Sequence, residues 1–158
     1  GGQYRMLHDR DWYLFWDDTR MSVLKRLDHG ELLAQCNLSV GPHAGAGRHQ
    51  DPRQFRDDIR AALKSRFRAV LGAGEIDAGP DGGFRYRIAV QGQQGEQEVV
   101  WYYYLLASPD GDQVLATFTL NASDVKRFGD QDLQMIGSLE WVRPDAAKPD
   151  PKTKDTGQ

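Results

Sequence analysis

Hydrophobic and polar residues alternate over residues 84–91, where every second side chain is apolar and large. This two-residue period is typical of a β-strand with one buried face. Residues 99–106 are apolar without interruption, which is typical of a strand covered on both faces, and residues 114–120 alternate again. Glycine-containing turns at 92–95 and 109–111 separate the segments. The pattern therefore predicts three consecutive antiparallel strands, with strand 99–106 near the centre of the sheet.

The N-terminal part of the chain carries the same kind of signal. Short strands are predicted over residues 12–16, 21–27 and 31–40. The Asp-His-Gly sequence at 28–30 suits a hairpin connection, because Gly readily adopts the positive φ that tight turns need. We therefore expect these strands to be antiparallel and adjacent.

A long amphipathic helix is predicted after these strands. Asp51 is the expected N-cap, Pro52 occupies the first helical position and Gln54 the capping-box position. The helix is expected to run to about Leu71 and to stop at Gly72, which suits a C-terminal cap. Its predicted core face consists of Phe55, Ile59, Ala62, Leu63 and Val70.

A second helix is predicted over residues 123–138. Ser123 is its expected N-cap, and Gly129 in its middle predicts a bend. A short closing strand is expected at 139–142. The inward stripe of the helix is expected to consist of Val125, Phe128, Leu133 and Ile136.

These elements together predict a single α+β domain over residues 4–143. It is expected to contain a mainly antiparallel sheet of six to seven strands with helices flanking both faces. Residues 144–158 hold no apolar side chain larger than Ala, and they predict a disordered tail or linker.

The composition narrows the range of partners. The net charge of the 158 residues is -3, which argues against a general binder of nucleic acid or anionic membranes. No apolar run approaches the roughly 18 residues that cross a bilayer, so we expect no membrane insertion within this chain. The single cysteine, Cys36, excludes an internal disulfide framework. Gly1 stands in place of an initiator Met and the first three residues look like a cloning remnant, so the sequence leaves open whether an export signal or anchor lies upstream.

The chain offers little for catalysis or metal binding. Cys36, His43 and His49 lack the close pair of ligands with which zinc sites chelate from one turn. The glycine-rich loop at 41–50 lacks the Gly-Lys-Ser/Thr ending of a phosphate-binding loop, and no Gly-x-Ser-x-Gly elbow is present. We therefore predict no catalytic residue, no cofactor and no metal, and we expect the protein not to be an enzyme.

The first predicted helix is locally basic. Residues 48–68 contain seven Lys and Arg and three Asp, a net charge of +4. Two interpretations are open: the long side chains flank the core face and keep their charges in water, or they form a docking surface for an acidic partner. The candidate docking residues are Arg53, Arg56, Arg60 and Lys64.

Aromatic residues concentrate in two predicted strands, at 12–16 and 101–104. Most of these rings are expected in the core. If the helices leave part of the sheet open, Tyr102 and Tyr104 are candidates to line a groove, with loop residues His43 and His49, for a small apolar ligand or a peptide.

Four segments carry a resemblance to a known family. They are Gly-Glu-Leu-Leu-Ala-Gln-Cys-Asn at 30–37, the helix at 51–67, Val-Leu-Ala-Thr-Phe-Thr-Leu at 114–120 and Ser-Leu-Glu-Trp at 138–141. With the order of elements, they resemble the PsbP-like superfamily, which includes the extrinsic PsbP proteins of photosystem II, bacterial DcrB-like lipoproteins and Ran-binding Mog-type proteins. The resemblance implies a PsbP-like α/β/α sandwich.

The resemblance further implies a non-enzymatic domain, often exported, that acts through contacts with other macromolecules. We therefore expect a protein-binding domain of an exported or membrane-anchored bacterial protein, in the periplasm or envelope. The alternative is a small-molecule or lipid-binding module that uses an aromatic-lined face of the sheet. The sequence names no particular partner and no oligomeric state.

Overall fold

A computed structural model describes residues 4–143 and shows an α+β fold dominated by antiparallel strands. The strands are β1 (Tyr4–Arg5), β2 (Trp12–Asp17), β3 (Met21–Asp28), β4 (Glu31–Val40), β5 (Phe67–Glu75), β6 (Phe84–Gln94), β7 (Gln97–Ala107), β8 (Gln113–Asn121) and β9 (Glu140–Trp141). The helices are α1 (Pro52–Leu63), α2 (Val125–Phe128) and α3 (Gln131–Gly137), with 3-10 turns at Lys64–Arg66 and Ala122–Asp124.

Seven strands form one antiparallel sheet in the order β2-β3-β4-β8-β7-β6-β5, and β1 pairs with β9 in a separate two-stranded ribbon. The predicted antiparallel sheet is thus confirmed. The apolar strand predicted at 99–106 is β7, which lies in the interior between β8 and β6. The predicted closing strand is β9, shortened to two residues. The tail predicted at 144–158 lies outside the described residues.

The buried side chains form two clusters, and successive residues of β7 alternate between them. Trp101 and Leu105 belong to the α1 cluster, whereas Tyr102 and Tyr104 belong to the α3 cluster. The α1 cluster consists of Phe55, Ile59, Leu63, Ile88, Val90, Val99, Trp101 and Leu105. The α3 cluster includes Trp12, Leu24, Cys36, Leu38, Tyr102, Tyr104, Leu106, Phe118, Phe128, Met135 and Ile136. Because both faces of β7 pack into clusters that exclude water, apolar residues are required at every position from 99 to 106.

The first helix starts where the sequence predicts but ends earlier. Asp51 accepts a hydrogen bond from the Arg53 amide (2.8 Å), which confirms the N-cap. However, α1 ends at Leu63, Lys64 adopts a positive φ of 51°, and residues 67–71 belong to β5 rather than to a helix. Pairing with β6 outweighs the helical period of this segment, since it supplies backbone hydrogen bonds along an otherwise open edge.

The second helix is broken where a bend was predicted. Gly129 adopts a φ of 64°, and it separates α2 from α3. The buried face of α3 differs from the predicted inward stripe at Leu133. Asp132, Met135 and Ile136 are buried, whereas the predicted core residue Leu133 is 42% exposed.

A second glycine, Gly92 in β6, allows the backbone of Arg66 and the Trp101 ring to approach the strand closely. A Cβ at this position would overlap the carbonyl oxygen of Arg66 and the indole ring of Trp101. The 3-10 turn that follows α1 therefore packs against backbone, and this contact positions α1 and β5.

No helix within residues 4–143 is long and apolar enough to cross a bilayer.

We expect Gly92→Ala to destabilise the protein, because the added methyl group must displace backbone or a buried indole. The expected loss is about 1–3 kcal/mol in the free energy of unfolding, measured by urea denaturation. Gly74→Ala is the matched control, since Gly74 lies in β5 and a Cβ added there would meet no atom within 4 Å. Equal stabilities of the two variants would contradict this account of Gly92.

Candidate interaction surfaces

The edge strand β2 exposes more apolar surface than a sheet edge normally does. Within residues 4–143, β3 is the only strand that pairs with β2. Trp12 at its start is buried, but the next four side chains are more than half exposed: Tyr13 (53%), Leu14 (56%), Phe15 (67%) and Trp16 (53%). Natural sheet edges usually carry charges or proline, so contiguous exposed rings mark a candidate binding surface.

A β-bulge at Phe15 brings the rings of Tyr13, Phe15 and Trp16 to one face of the sheet. The register runs from Leu14 opposite Leu24 directly to Trp16 opposite Val23, so Phe15 is the extra residue. Tyr13 lies opposite Lys25, two positions from Val23, and therefore shares a face with Trp16. The Lys25 ammonium lies 3.8 Å from the centre of the Phe15 ring, which places Phe15 on the same side. We call Tyr13, Phe15 and Trp16 the aromatic edge.

The aromatic edge shares its face of the sheet with the α1 cluster. Paired positions lead from Tyr13 across the strands to Trp101, which packs in that cluster. Between them, β3 and β4 present half-buried side chains, and Gln35 donates a hydrogen bond to Asn37 (2.9 Å). The residues of this half-buried strip are Val23, Lys25, Gln35 and Asn37. The α1 end of the face is thus packed, whereas the β2 end is open to solvent.

A groove of about 630 Å³ lies at the β2 end of the sheet. Its lining includes Leu14, which pairs with Leu24 on the face opposite the aromatic edge. We call it the β1 groove, because Tyr4 of β1 lines it. Burial raises the pKa of Tyr4, so its phenol is neutral at neutral pH. Its apolar lining comprises Met6, Leu14, Met21, Leu24, Leu38 and Val40.

The Asp18 carboxylate stabilises the turn between β2 and β3. Asp18 accepts hydrogen bonds from the amides of Arg20 and Met21 (both 2.8 Å) and from the Trp16 indole (3.2 Å). The two amide hydrogen bonds, followed by that from Trp16, lower the pKa of Asp18. This turn acid therefore also orients one ring of the aromatic edge.

Three of the four predicted docking cations meet at a second groove. Arg53, Arg56 and Arg60 line a cavity of about 330 Å³ between α1 and β5, whereas Lys64 is not among its lining residues. The Arg60 guanidinium lies 4.7 Å from the centre of the Phe67 ring. The apolar lining consists of Ile59, Phe67, Val70, Ile88 and Val90. We call this site the arginine groove.

The predicted tyrosine and histidine groove is not formed. Tyr104 is fully buried and Tyr102 is 6% exposed, because both belong to the α3 cluster. His43 lies 3.1 Å from the Asp112 carboxylate, and His49 stacks on Phe84 with ring centres 3.6 Å apart. The two tyrosines therefore share a buried cluster and the two histidines lie outside it, so the structure does not bring the four side chains together in one groove.

Cys36 lies on the buried side of β4 and belongs to the α3 cluster. Burial raises the pKa of its thiol far above the usual value, so the thiol stays protonated. Among residues 4–143, no three His, Cys, Asp or Glu side chains are grouped as metal ligands.

Sequence reasoning missed a buried charged network beneath α3. One oxygen of Asp132 accepts hydrogen bonds from the Arg87 guanidinium (2.8 and 3.0 Å) and from the Tyr104 hydroxyl (2.6 Å). Burial, reinforced by the Asp132 charge, raises the pKa of Tyr104. Arg85 donates to the carbonyls of Ile136 and Leu139 (both 2.9 Å) at the end of α3. Two arginines of β6 therefore fix both ends of this short helix.

The signal for this network was present in the sequence. Asp132 lies four residues after Phe128 and four before Ile136, so it occupies the apolar stripe of a continuous helix. Arg85 and Arg87 are two residues apart and share one strand face. An acid on an apolar stripe and two arginines on one face of an interior strand could have been paired on these grounds.

Comparisons with known proteins show the fold and not a family. No family model and no curated protein sequence matches the chain. A solved structure from Bacteroides thetaiotaomicron aligns with a TM-score of 0.60 and 15% identity over 89% of this chain. The alignment covers only 46% of the Bacteroides chain. PA94 from Pseudomonas aeruginosa, a protein of unknown function, aligns with a TM-score of 0.57 and 14% identity over 90% of this chain and 99% of its own.

We expect Asp132→Ala to destabilise the protein strongly, because it removes the partner of a half-buried guanidinium. The expected loss is on the order of 3 kcal/mol in the free energy of unfolding, measured by urea denaturation. Asp130→Ala is the control, since Asp130 is exposed and accepts a side-chain hydrogen bond from Gln134. Replacing all three members of the network with apolar residues, as Arg87→Met with Tyr104→Phe and Asp132→Leu, is expected to recover much of the loss, because no buried polar group is then left without a partner. A loss as small as that of the control would show that the ion pair does not anchor α3.

Proposed function

We propose that this chain is a non-catalytic protein-binding domain whose partner docks on the aromatic edge. The observation that carries the proposal is the exposure of three aromatic rings on one face of an edge strand. Large rings bury extensive area at little cost in conformational entropy, and Trp and Tyr are enriched among the residues that dominate binding energy. An edge strand also offers backbone N–H and C=O groups to an incoming strand.

The partner that suits this edge contributes an extended apolar segment. Such a segment adds to the sheet beside β2 through backbone hydrogen bonds, and its side chains pack against Phe15 and Trp16. The half-buried strip of β3 and β4 continues the surface, and its amide groups satisfy polar atoms at the rim. Binding then depends on side chains that contribute little to the stability of the free domain.

The finer architecture belongs to the same proposal. We place α1 and α3 on opposite faces of the sheet, as in a PsbP-like α/β/α sandwich, because alternate residues of β7 belong to the two clusters. The PsbP-like, DcrB-like or Mog-type assignment rests on the sequence resemblance and on this arrangement. This assignment implies an extracytoplasmic location, in the periplasm or envelope.

A second candidate function is the binding of a small apolar molecule or lipid in the β1 groove. Its volume of about 630 Å³ falls within the range of about 300–1,000 Å³ that is usual for ligand sites. Its apolar lining and the neutral Tyr4 hydroxyl suit a ligand with one polar end.

Site-specific crosslinking tests the docking proposal. A photoreactive phenylalanine analogue at Phe15 is expected to crosslink one defined partner in cells, whereas the same analogue at Leu133 is not. Leu133 is the matched control, because it is 42% exposed on α3 and lines neither the β1 groove nor the arginine groove. The purified partner is then expected to bind the wild-type domain, and Phe15→Ser with Trp16→Ser is expected to weaken binding by about 100-fold. Equal crosslinking at both positions, or unchanged affinity of the double variant, would refute docking at the aromatic edge.

A thermal-shift measurement tests the β1 groove with dodecanoic acid, a ubiquinone analogue and glucose as probes. If the groove binds such ligands, one probe at about 100 times its dissociation constant stabilises the wild type by about 2.7 kcal/mol. Leu14→Lys is expected to abolish the shift, because it places a charge among the apolar residues of the lining. Tyr13→Lys, on the other face of the same strand, is expected to retain it. No shift with any probe would eliminate this second candidate for those three ligand classes.

A further inference from the structure

We propose that the arginine groove binds an acidic peptide segment of a protein partner, at a site separate from the aromatic edge. Arg53, Arg56 and Arg60 follow one another at spacings of three and four residues, which places them on one face of α1. All three are exposed and line the cavity between α1 and β5. The groove thus presents three guanidinium groups beside an edge strand.

The charge of these arginines is not neutralised within residues 4–143. None of the three forms an ion pair there, although Asp57 also lines the groove. The other nearby acids have different partners. Asp58 accepts hydrogen bonds from Gln50 and Gln54, and Asp51 caps α1. The excess positive charge is therefore available to a ligand.

This arrangement costs the isolated helix stability. Like charges three or four residues apart repel each other by a few tenths of a kcal/mol per pair. A ligand that brings carboxylates between the arginines removes this repulsion and forms charge-assisted hydrogen bonds. Charge complementarity therefore favours an acidic occupant.

The apolar lining indicates a peptide rather than a simple anion or a nucleic acid. Phe67 and Val70 are half-buried beside the guanidinium groups, above the buried Ile88 and Val90. This lining and a volume of about 330 Å³ suit an apolar side chain flanked by acids. Because residues 48–68 carry +4 and the whole chain carries -3, the remaining residues carry -7. That charge repels an extended polyanion but leaves a short acidic segment free to bind.

Fluorescence anisotropy tests the proposal with a labelled peptide of alternating Glu and Asp and one central Leu. The wild-type protein is expected to bind it, and Arg56→Gln with Arg60→Gln is expected to weaken binding at least about tenfold. Arg10→Gln with Lys126→Gln is the control, since both cations are exposed and removing them changes the net charge equally. The control is expected to change affinity by less than about twofold. The groove variant is expected to melt at the wild-type temperature or slightly above it, because the substitutions relieve repulsion.

Three further results decide the outcome. A counterpart peptide with Ser in place of Leu is expected to bind more weakly, and equal binding would overturn the peptide assignment in favour of a plain anion site. Equal weakening by the control variant would show general electrostatic attraction and would likewise overturn the proposal. Sedimentation at low salt is expected to show wild type and groove variant in the same state. Self-association that only the variant loses would identify a second copy of this chain as the occupant instead.

The test is independent of docking at the aromatic edge. Phe15→Ser with Trp16→Ser is expected to leave peptide affinity unchanged, because β2 and β5 are the two outermost strands of the sheet. Loss of peptide binding in that variant would contradict the assignment of the peptide to the arginine groove.

Discussion

Burial of β7 on both faces is the constraint on which the rest of the fold depends. Tyr104 and Leu105 are adjacent and fully buried, yet they belong to different clusters. The Tyr104 hydroxyl requires Asp132 as its hydrogen-bond acceptor, whereas the Leu105 side chain requires apolar neighbours to pack against. A one-residue slip of β7 would exchange them and leave the hydroxyl without its partner in the α1 cluster. The same alternation fixes the register of β6 and β8 and, through them, the positions of α1 and α3.

Local signals predicted much of this fold. The pattern of apolar and polar residues located β6, β7 and β8, and the N-cap Asp51 followed by Pro52 located the start of α1. Both signals depend only on residues that are neighbours in the chain. The end of α1 could not be found in this way. Val70 lies seven residues after Leu63 and therefore fits a helical stripe as well as a strand. Only the long-range pairing of Val70 with Val90 decides between the two.

The candidate surfaces were less predictable, because exposure depends on strand order. The rings at 12–16 and those at 101–104 look alike in sequence, but the first set lies on an edge strand and the second on an interior one. Tyr102 and Tyr104 are buried for this reason and do not line an open groove. The convergence of Arg53, Arg56 and Arg60 followed from helical spacing alone. The apolar lining that Phe67 and Val70 add to it depended on the unexpected strand β5.

The order of the strands has a geometric consequence for the two proposed docking surfaces. Six inter-strand steps separate β2 from β5, and at about 4.8 Å each they span roughly 29 Å. Peptide segments bound at the two margins would therefore not touch each other. If both proposals hold, one copy of the domain would carry two separate chains at once, one at each margin of the sheet.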